Sequence, residues 1–268
     1  MDYINIILLG IVQGLTEFLP VSSSGHLILI PRLFNFKDQG LAMDAILHLG
    51  TLLAIIIYFR QDLARLIYAL FNRDHDPDYH RLAWHIGWAS FPAGIIGLLG
   101  GDLIEQELRS SSFVAWNLLF WSLVFFAVER YSTSQKSTET DISRMTLGQV
   151  LFIGFAQAIA LLPGTSRSGI TITGGMLVNL SPTTAARFSF LLGTPIILAA
   201  GAHKSLHFLS SQINSVHLSG LQLGVGLLVS FAVGYLSIKL LLGIVSRLGL
   251  MPFIIYRVIL ATSILIAF

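Results

Sequence analysis

The chain has 268 residues, of which 54% are hydrophobic and only 11% charged, against roughly 25% charged in ordinary soluble domains; its mean hydropathy is +0.76. This composition excludes a soluble domain of useful size and describes one membrane domain, 1–268, with room for about six to eight helices. A net charge of +2 gives no footprint for nucleic acid, and the lack of cysteine excludes disulfides, thiol chemistry and Cys-based metal sites.

The N-terminal residues, Met1 to Asn5, lack the basic region of a signal peptide and are expected to be retained. Apolar runs then follow at 3–19, 41–59, 82–101, 113–129, 147–162, 170–180, 184–202, 219–245 and 251–268. Two polar loops separate them, 60–81 with Arg60, Arg65, Arg73 and Arg81, and 130–145 with Arg130, Lys136 and Arg144. Loops near 32–40, 102–112 and 203–218 are poorer in Lys and Arg, so the positive-inside rule places 60–81 and 130–145 in the cytoplasm. That assignment closes only if two segments turn back. Residues 3–30 break at Pro20 and 147–178 at Pro163-Gly164, each reading as apolar helix, polar break and short second helix.

The chain also repeats itself at an offset of 144: Gly10 matches Gly154, Gln13 Gln157, Ser22 Ser166, Ser24 Ser168 and Gly25 Gly169. The expected architecture is an all-α polytopic membrane protein, an inverted repeat with about six transmembrane helices and two re-entrant helical hairpins. Its halves are approximately 1–130 and 146–268, joined by the cytoplasmic loop 130–145, and both termini lie outside.

The chemistry concentrates at the two breaks. Gly10, Gln13, Gly14 and Glu17 share one face of the first helix. A charged group at bilayer depth costs roughly 2.5–3.5 kcal/mol on insertion scales, which makes Glu17 a functional candidate. After Pro20, Ser22, Ser23 and Ser24 suit the cap of a new helix, with Gly25 allowing close backbone approach and His26 one turn in. Histidine beside a carboxylate and hydroxyls suggests an acid, base or nucleophile. The second string, Pro163-Gly164-Thr165-Ser166-Arg167-Ser168-Gly169, adds a guanidinium fork suited to phosphate oxygens or to an ion pair with Glu17. An arginine and two helix N-termini aimed at one point describe a site for a multiply charged anion, a diphosphate better than one carboxylate.

Other polar groups carry less. Asp44 and His48, one turn apart, are candidate supporting partners. Arg187, Glu129, Lys239 and Arg257 sit near span ends, where snorkelling accounts for them. His203, His207 and His217 have no metal-ligand spacing and read as solvated.

The strings resemble the undecaprenyl-diphosphate phosphatase family, the bacitracin-resistance type of bacterial integral membrane phosphatase. Its pattern is a (Glu/Gln)-x-x-x-Glu element running into Phe-Leu-Pro-Val-Ser-Ser-Thr/Ser-Gly-His, then a distant Pro-Gly-x-Ser-Arg-Ser-Gly. Here these are Gln13 to Glu17, Phe18 to His26 and Pro163 to Gly169, and the stretches His48 to Ala54 and Arg187 to Leu192 also look familial. The resemblance implies hydrolysis of undecaprenyl diphosphate to undecaprenyl phosphate, recycling the carrier lipid for cell-wall synthesis and conferring bacitracin resistance. It implies a divalent cation and a catalytic set of Glu17, His26, Ser23 and Arg167; since a lone carboxylate repels a diphosphate, Glu17 is expected to bind a bridging Mg²⁺ or Ca²⁺ or to act while partly protonated. Gln13, Ser22, Ser24, Gly25, Thr165, Ser166, Ser168 and Gly169 become substrate-binding positions; Gln13 supplies no second carboxylate. His26, Ser23 or a water can attack phosphorus. The expected setting is the bacterial inner membrane with the site facing outward, the lipid and the membrane as partners, and a homodimer left open.

Two rivals differ in class. A lipid or anion transporter would use the same midplane site without releasing phosphate. The phosphatidic-acid-phosphatase type shares Ser24-Gly25-His26 and Ser166-Arg167, but its spacing puts Thr173 where its nucleophilic histidine belongs, which excludes it.

Overall fold

The computed structural model describes residues 2–34, 40–135, 141–210 and 219–267. All regular structure in them is helical. The first break separates α1 (Tyr3–Thr16) from α2 (Ser23–Leu33), and α3 (Gly40–Tyr58), α4 (Arg60–Phe71), α5 (Pro77–Glu107) and α6 (Ser111–Gln135) follow. A single 3₁₀ turn, Ile142–Arg144, leads to α7 (Leu147–Ile159) and α8 (Arg167–Leu177) around the second break, then α9 (Pro182–Ser210), α10 (Gly220–Leu248) and α11 (Met251–Ala267).

Length sorts these helices. Four are long and apolar enough to cross a membrane: α5, α6, α9 and α10; α3 joins them if α3 and α4 count as one bent span. The sixth expected span is α11, a mainly apolar helix whose 17 residues reach about 26 Å at 1.5 Å per residue, against a hydrocarbon core of about 30 Å. By contrast α1 and α7 have 14 and 13 residues, about 20 Å, and cannot cross alone. They suit the short limbs of hairpins. Leu99, Leu123 and Leu228 are exposed on the long helices, as lipid-facing side chains are.

The structure corrects the loop at 60–81. Helix α3 ends at Tyr58, and the chain bends by 80° at Phe59 into α4. Helix α4 buries Leu66 and Ala69 and exposes Ile67, Tyr68 and Phe71 beside Arg60 and Arg65, the pattern of a helix lying in the membrane interface. Helix α5 begins at Pro77, inside the expected loop, with Asp76 as N-cap. It runs to Glu107, through residues expected as a loop at 102–107. Lys136 and most of 32–40 lie outside the described residues.

Each half's first helix lies on the other half. Helix α1 packs along α10 and α7 along α5, so the halves interlock in one body. Matched glycines allow it: a Cβ on Gly10 would come within 2.9 Å of Val229, and one on Gly154 would fall onto the Ala89 backbone. Helices α6 and α11 pair with each other, as do α3 and α9. The breaks therefore meet in the middle.

Candidate active site

Helix α1 ends where its polar face is needed. Glu17, one turn after Gln13, sits at the helix C-cap and accepts from Gln13 Nε2 at 3.2 Å on Oε2. The chain then turns through Pro20 and Val21 to Ser22, whose φ of 74° is left-handed and costly for a residue with a Cβ. The Ser22 side chain offsets that cost by capping α2, accepting from Gly25 N at 3.4 Å. Ser23 is the first residue of α2, and its Oγ donates to Glu17 Oε2 at 2.9 Å.

The second break repeats this construction. Gly164 has a φ of 96° and Ser166 one of 77°, with Ser166 Oγ accepting from Gly169 N at 3.2 Å. Arg167 is the first residue of α8, as Ser23 is of α2, and its Nη2 donates to Glu17 Oε1 at 2.9 Å. One carboxylate is thus held on one oxygen by the leading residue of α2 and on the other by that of α8. The Glu17 and Arg167 side chains are only 8% and 14% exposed, so the attraction acts with little solvent screening. Gly193 gives the guanidinium room, since a Cβ there would collide with Nη1. The N-termini of two 11-residue helices add positive partial charge.

Of the residues expected at the site, Gln13, Glu17, Ser23 and Arg167 come together. His26 does not join them directly: Nδ1 lies 2.8 Å from the Ser22 carbonyl and Nε2 2.7 Å from the Tyr256 hydroxyl. Ser22 and Ser166 act as caps, Thr165 receives from Asn117 Nδ2 at 2.9 Å, and Ser168 donates to the Leu19 carbonyl at 3.1 Å, tying the breaks together. Gly25 approaches Val114, and Gly169 lies against the Phe125 ring. Ser24 is exposed, with Oγ 3.3 Å from that of Ser22.

Several sequence readings change. Arg257 does not snorkel; it is 0% exposed. It donates to the carbonyls of Pro20 at 3.4 Å, Gly164 at 3.0 Å and Leu118 at 3.2 Å, and to Ser122 Oγ at 3.1 Å. One side chain thereby holds both breaks. Glu129 is buried too and accepts from Leu250 N at 3.2 Å, bracing the turn between α10 and α11. Arg187 is half exposed and pairs with Asp62 of α4 at 3.2 Å, while Lys239 is exposed within α10. His48 bonds the Asp44 carbonyl at 2.7 Å. The side chains of His203 and His207, and His217 as a whole, lie outside the described residues. Sequence reasoning missed Tyr256 and Asn117; nothing in their spacing marks them.

Among the described residues no group of three or more His, Asp or Glu side chains forms a ready metal site. The acceptors near Glu17 are its own carboxylate, Ser23 Oγ and Gln13 Oε1, which is buried and unpaired. They are all hard oxygens, of the kind Mg²⁺ and Ca²⁺ take when phosphate oxygens complete the shell.

A family model described as bacitracin resistance protein BacA matches residues 6–263. The undecaprenyl-diphosphatase of Saccharophagus degradans is 43% identical, over 98% of this chain and 97% of its own. Undecaprenyl-diphosphatase 2 of Stutzerimonas stutzeri is 44% identical over 100% and 99%, and the undecaprenyl-diphosphatase of Teredinibacter turnerae 40% identical over the full length of both chains. Both breaks and the site fall inside the match, and the chain belongs to the bacitracin resistance protein BacA family.

Proposed function

We propose that the chain hydrolyses undecaprenyl diphosphate to undecaprenyl phosphate and phosphate, as its relatives' names say of them. The observation that carries this reading is the Glu17 carboxylate held between Ser23 and Arg167 at 2.9 Å each. A hydroxyl bonded to a buried carboxylate, itself oriented by further donors, is the arrangement of an activated nucleophile. Both His26 nitrogens are engaged elsewhere, which favours Ser23 over His26 for the attack.

In the proposed reaction the terminal phosphate displaces Glu17 on Arg167, whose fork neutralises the charge that develops on the transferring group. Ser23 Oγ attacks the terminal phosphorus and its proton passes to Glu17. The bridging P–O bond breaks and undecaprenyl phosphate leaves. Glu17 gives that proton to the leaving undecaprenyl phosphate; a water then attacks phosphoserine 23, its proton passing by way of Glu17 to Ser23 Oγ as the Oγ–P bond breaks and phosphate departs. A divalent cation, held by Glu17 and Gln13 Oε1, would supply charge neutralisation on the diphosphate oxygens. The relatives' names give the transporter reading no support. The membrane setting follows from the apolar helices, and an outward-facing pocket suits a product made on the outer side.

The test is phosphate release from undecaprenyl diphosphate by detergent-purified protein, with Mg²⁺ or with EDTA. Release that needs the cation and vanishes in Arg167→Ala supports the reading. A folded protein that releases none defeats it.

A further inference from the structure

His26 has its side chain's bonds assigned by chemistry. The Ser22 carbonyl can only accept, so the nitrogen 2.8 Å from it, Nδ1, carries the proton. In the neutral ring Nε2 then offers a lone pair, and the Tyr256 hydroxyl 2.7 Å away donates to it. The two rings lie nearly parallel, at 8° with centroids 5.7 Å apart. His26 is 7% exposed and Tyr256 44%.

This chain of bonds ends beside the nucleophile. Ser22, whose carbonyl His26 holds, directly precedes Ser23 and has the left-handed φ of 74°. The second break provides an internal control. Ser166 adopts nearly the same backbone, φ 77° and ψ 108° against 74° and 94°, and makes the same cap. Yet Ile170 stands where His26 would be. The turn therefore forms without an imidazole, and the His26–Tyr256 link is an addition confined to the half that bears Ser23. Arg257, next to Tyr256 on α11, grips the Pro20 carbonyl two residues before Ser22. Helix α11 thus holds the first break from both ends.

We propose that Tyr256 is a positioning residue for the phosphatase reaction: its hydroxyl holds His26 as the Nδ1–H form, and His26 holds the Ser22 carbonyl and so aims Ser23 Oγ at Glu17. The proposal rests on Ser23 being the nucleophile of the function proposed above. It assigns to α11 a role in the attack that does not require Tyr256 to touch the lipid.

The test is Tyr256→Phe, which removes one oxygen and leaves the ring. Side-chain ¹⁵N spectra of His26 read the tautomer, and phosphate release from undecaprenyl diphosphate reads kcat and KM. The wild type should show the Nδ1–H form with a hydrogen-bonded Nε2, and the Phe variant a shift of the Nε2 resonance as that bond is lost. Its kcat should fall about tenfold or more, with KM within about twofold, as expected of a misaimed nucleophile. An unchanged His26 spectrum or an unchanged kcat overturns the proposal. So does a rise in KM at constant kcat, because that would place the hydroxyl on the substrate. Should the wild type release no phosphate at all, the proposed reaction fails, and the nitrogen spectra still decide whether Tyr256 sets the state of His26.

Discussion

The two broken helices are built alike and do different work. Gly10 and Gly154, Gln13 and Gln157, Ser22 and Ser166, Ser24 and Ser168, and Gly25 and Gly169 pair in register, and the serine caps and left-handed turns they form are nearly superposable in dihedral terms. Among the registers where the halves disagree, three carry reactive groups: Glu17 against Leu161, Ser23 against Arg167, and His26 against Ile170. The agreements make the scaffold. The disagreements make the chemistry, because a carboxylate, a hydroxyl and a cation can meet only if the two halves stop being copies at the point where they touch.

Transplanting residues between halves tests this division. Glu17→Leu and Arg167→Ser each give one half the residue of the other. Arg167→Ser should lower phosphate release by roughly 10³–10⁵-fold, the range of a transition-state arginine, and Glu17→Leu should remove it. The serine variant also strands a buried carboxylate, at a cost of about 3–5 kcal/mol, whereas the double variant Glu17→Leu/Arg167→Ser should regain most of that stability in a thermal melt and stay inactive. Substantial turnover in any of these variants would show that the differing registers do not hold the chemistry.

A milder transplant is His26→Ile. Because Ser166 keeps its turn beside Ile170, the fold should survive, and phosphate release should drop by roughly 10²-fold if the histidine acts in catalysis or aims the group that does. Activity near that of the wild type would make His26 dispensable and leave the Ser23–Glu17 pair self-sufficient.

The matched positions make the opposite prediction. Ser22→Ala and Ser166→Ala each lose a helix cap, about 1 kcal/mol, at a left-handed φ above 70° whose strain serine and alanine bear alike. The two melts should fall by similar amounts. Only Ser22→Ala should depress kcat beyond what its stability loss explains, since only that turn leads into Ser23. Unequal melts would break the equivalence of the two scaffolds.

Much of this was legible before any coordinates. The offset of 144, the breaks at Pro20 and Pro163, and the meeting of Glu17 with Arg167 follow from period, breakers and the cost of burying charge. Arg257 was not. Its sequence position near the end of a span suggests snorkelling, but its donors end on carbonyls of Pro20, Leu118 and Gly164. Only tertiary assembly brings those three together, and a carbonyl acceptor leaves no mark in a side-chain pattern. Tyr256 was hidden for the same reason, 230 residues from His26. Helix α4 was missed on other grounds: its arginines dominate a reading of average polarity, while its alternation of buried Leu66 and Ala69 with exposed Ile67 and Phe71 is resolved only by knowing which side faces the protein.

Helix α4 is also where the halves part in shape, and its effect is the smallest to measure. The first half bends after Tyr58, whereas α9 continues unbroken from Pro182 to Ser210 through the corresponding registers. Asp76 ties α4 to α5: it receives Arg65 Nε at 2.6 Å and caps α5 through Tyr79 N at 3.3 Å. The Arg65 hydrogen bond, chiefly, holds the Asp76 carboxyl below the usual aspartate range. A depressed carboxyl contributes stability that is fully present above its unfolded-state value and is lost as pH falls through the folded one. The melting temperature of the wild type should therefore exceed that of Asp76→Asn slightly at pH 7, and the gap should close on acidification below the ordinary aspartate range. Because the pair is solvent-exposed, added salt should narrow the gap as well. A gap that persists at low pH would show that the Asp76 charge is not what stabilises the joint between α4 and α5.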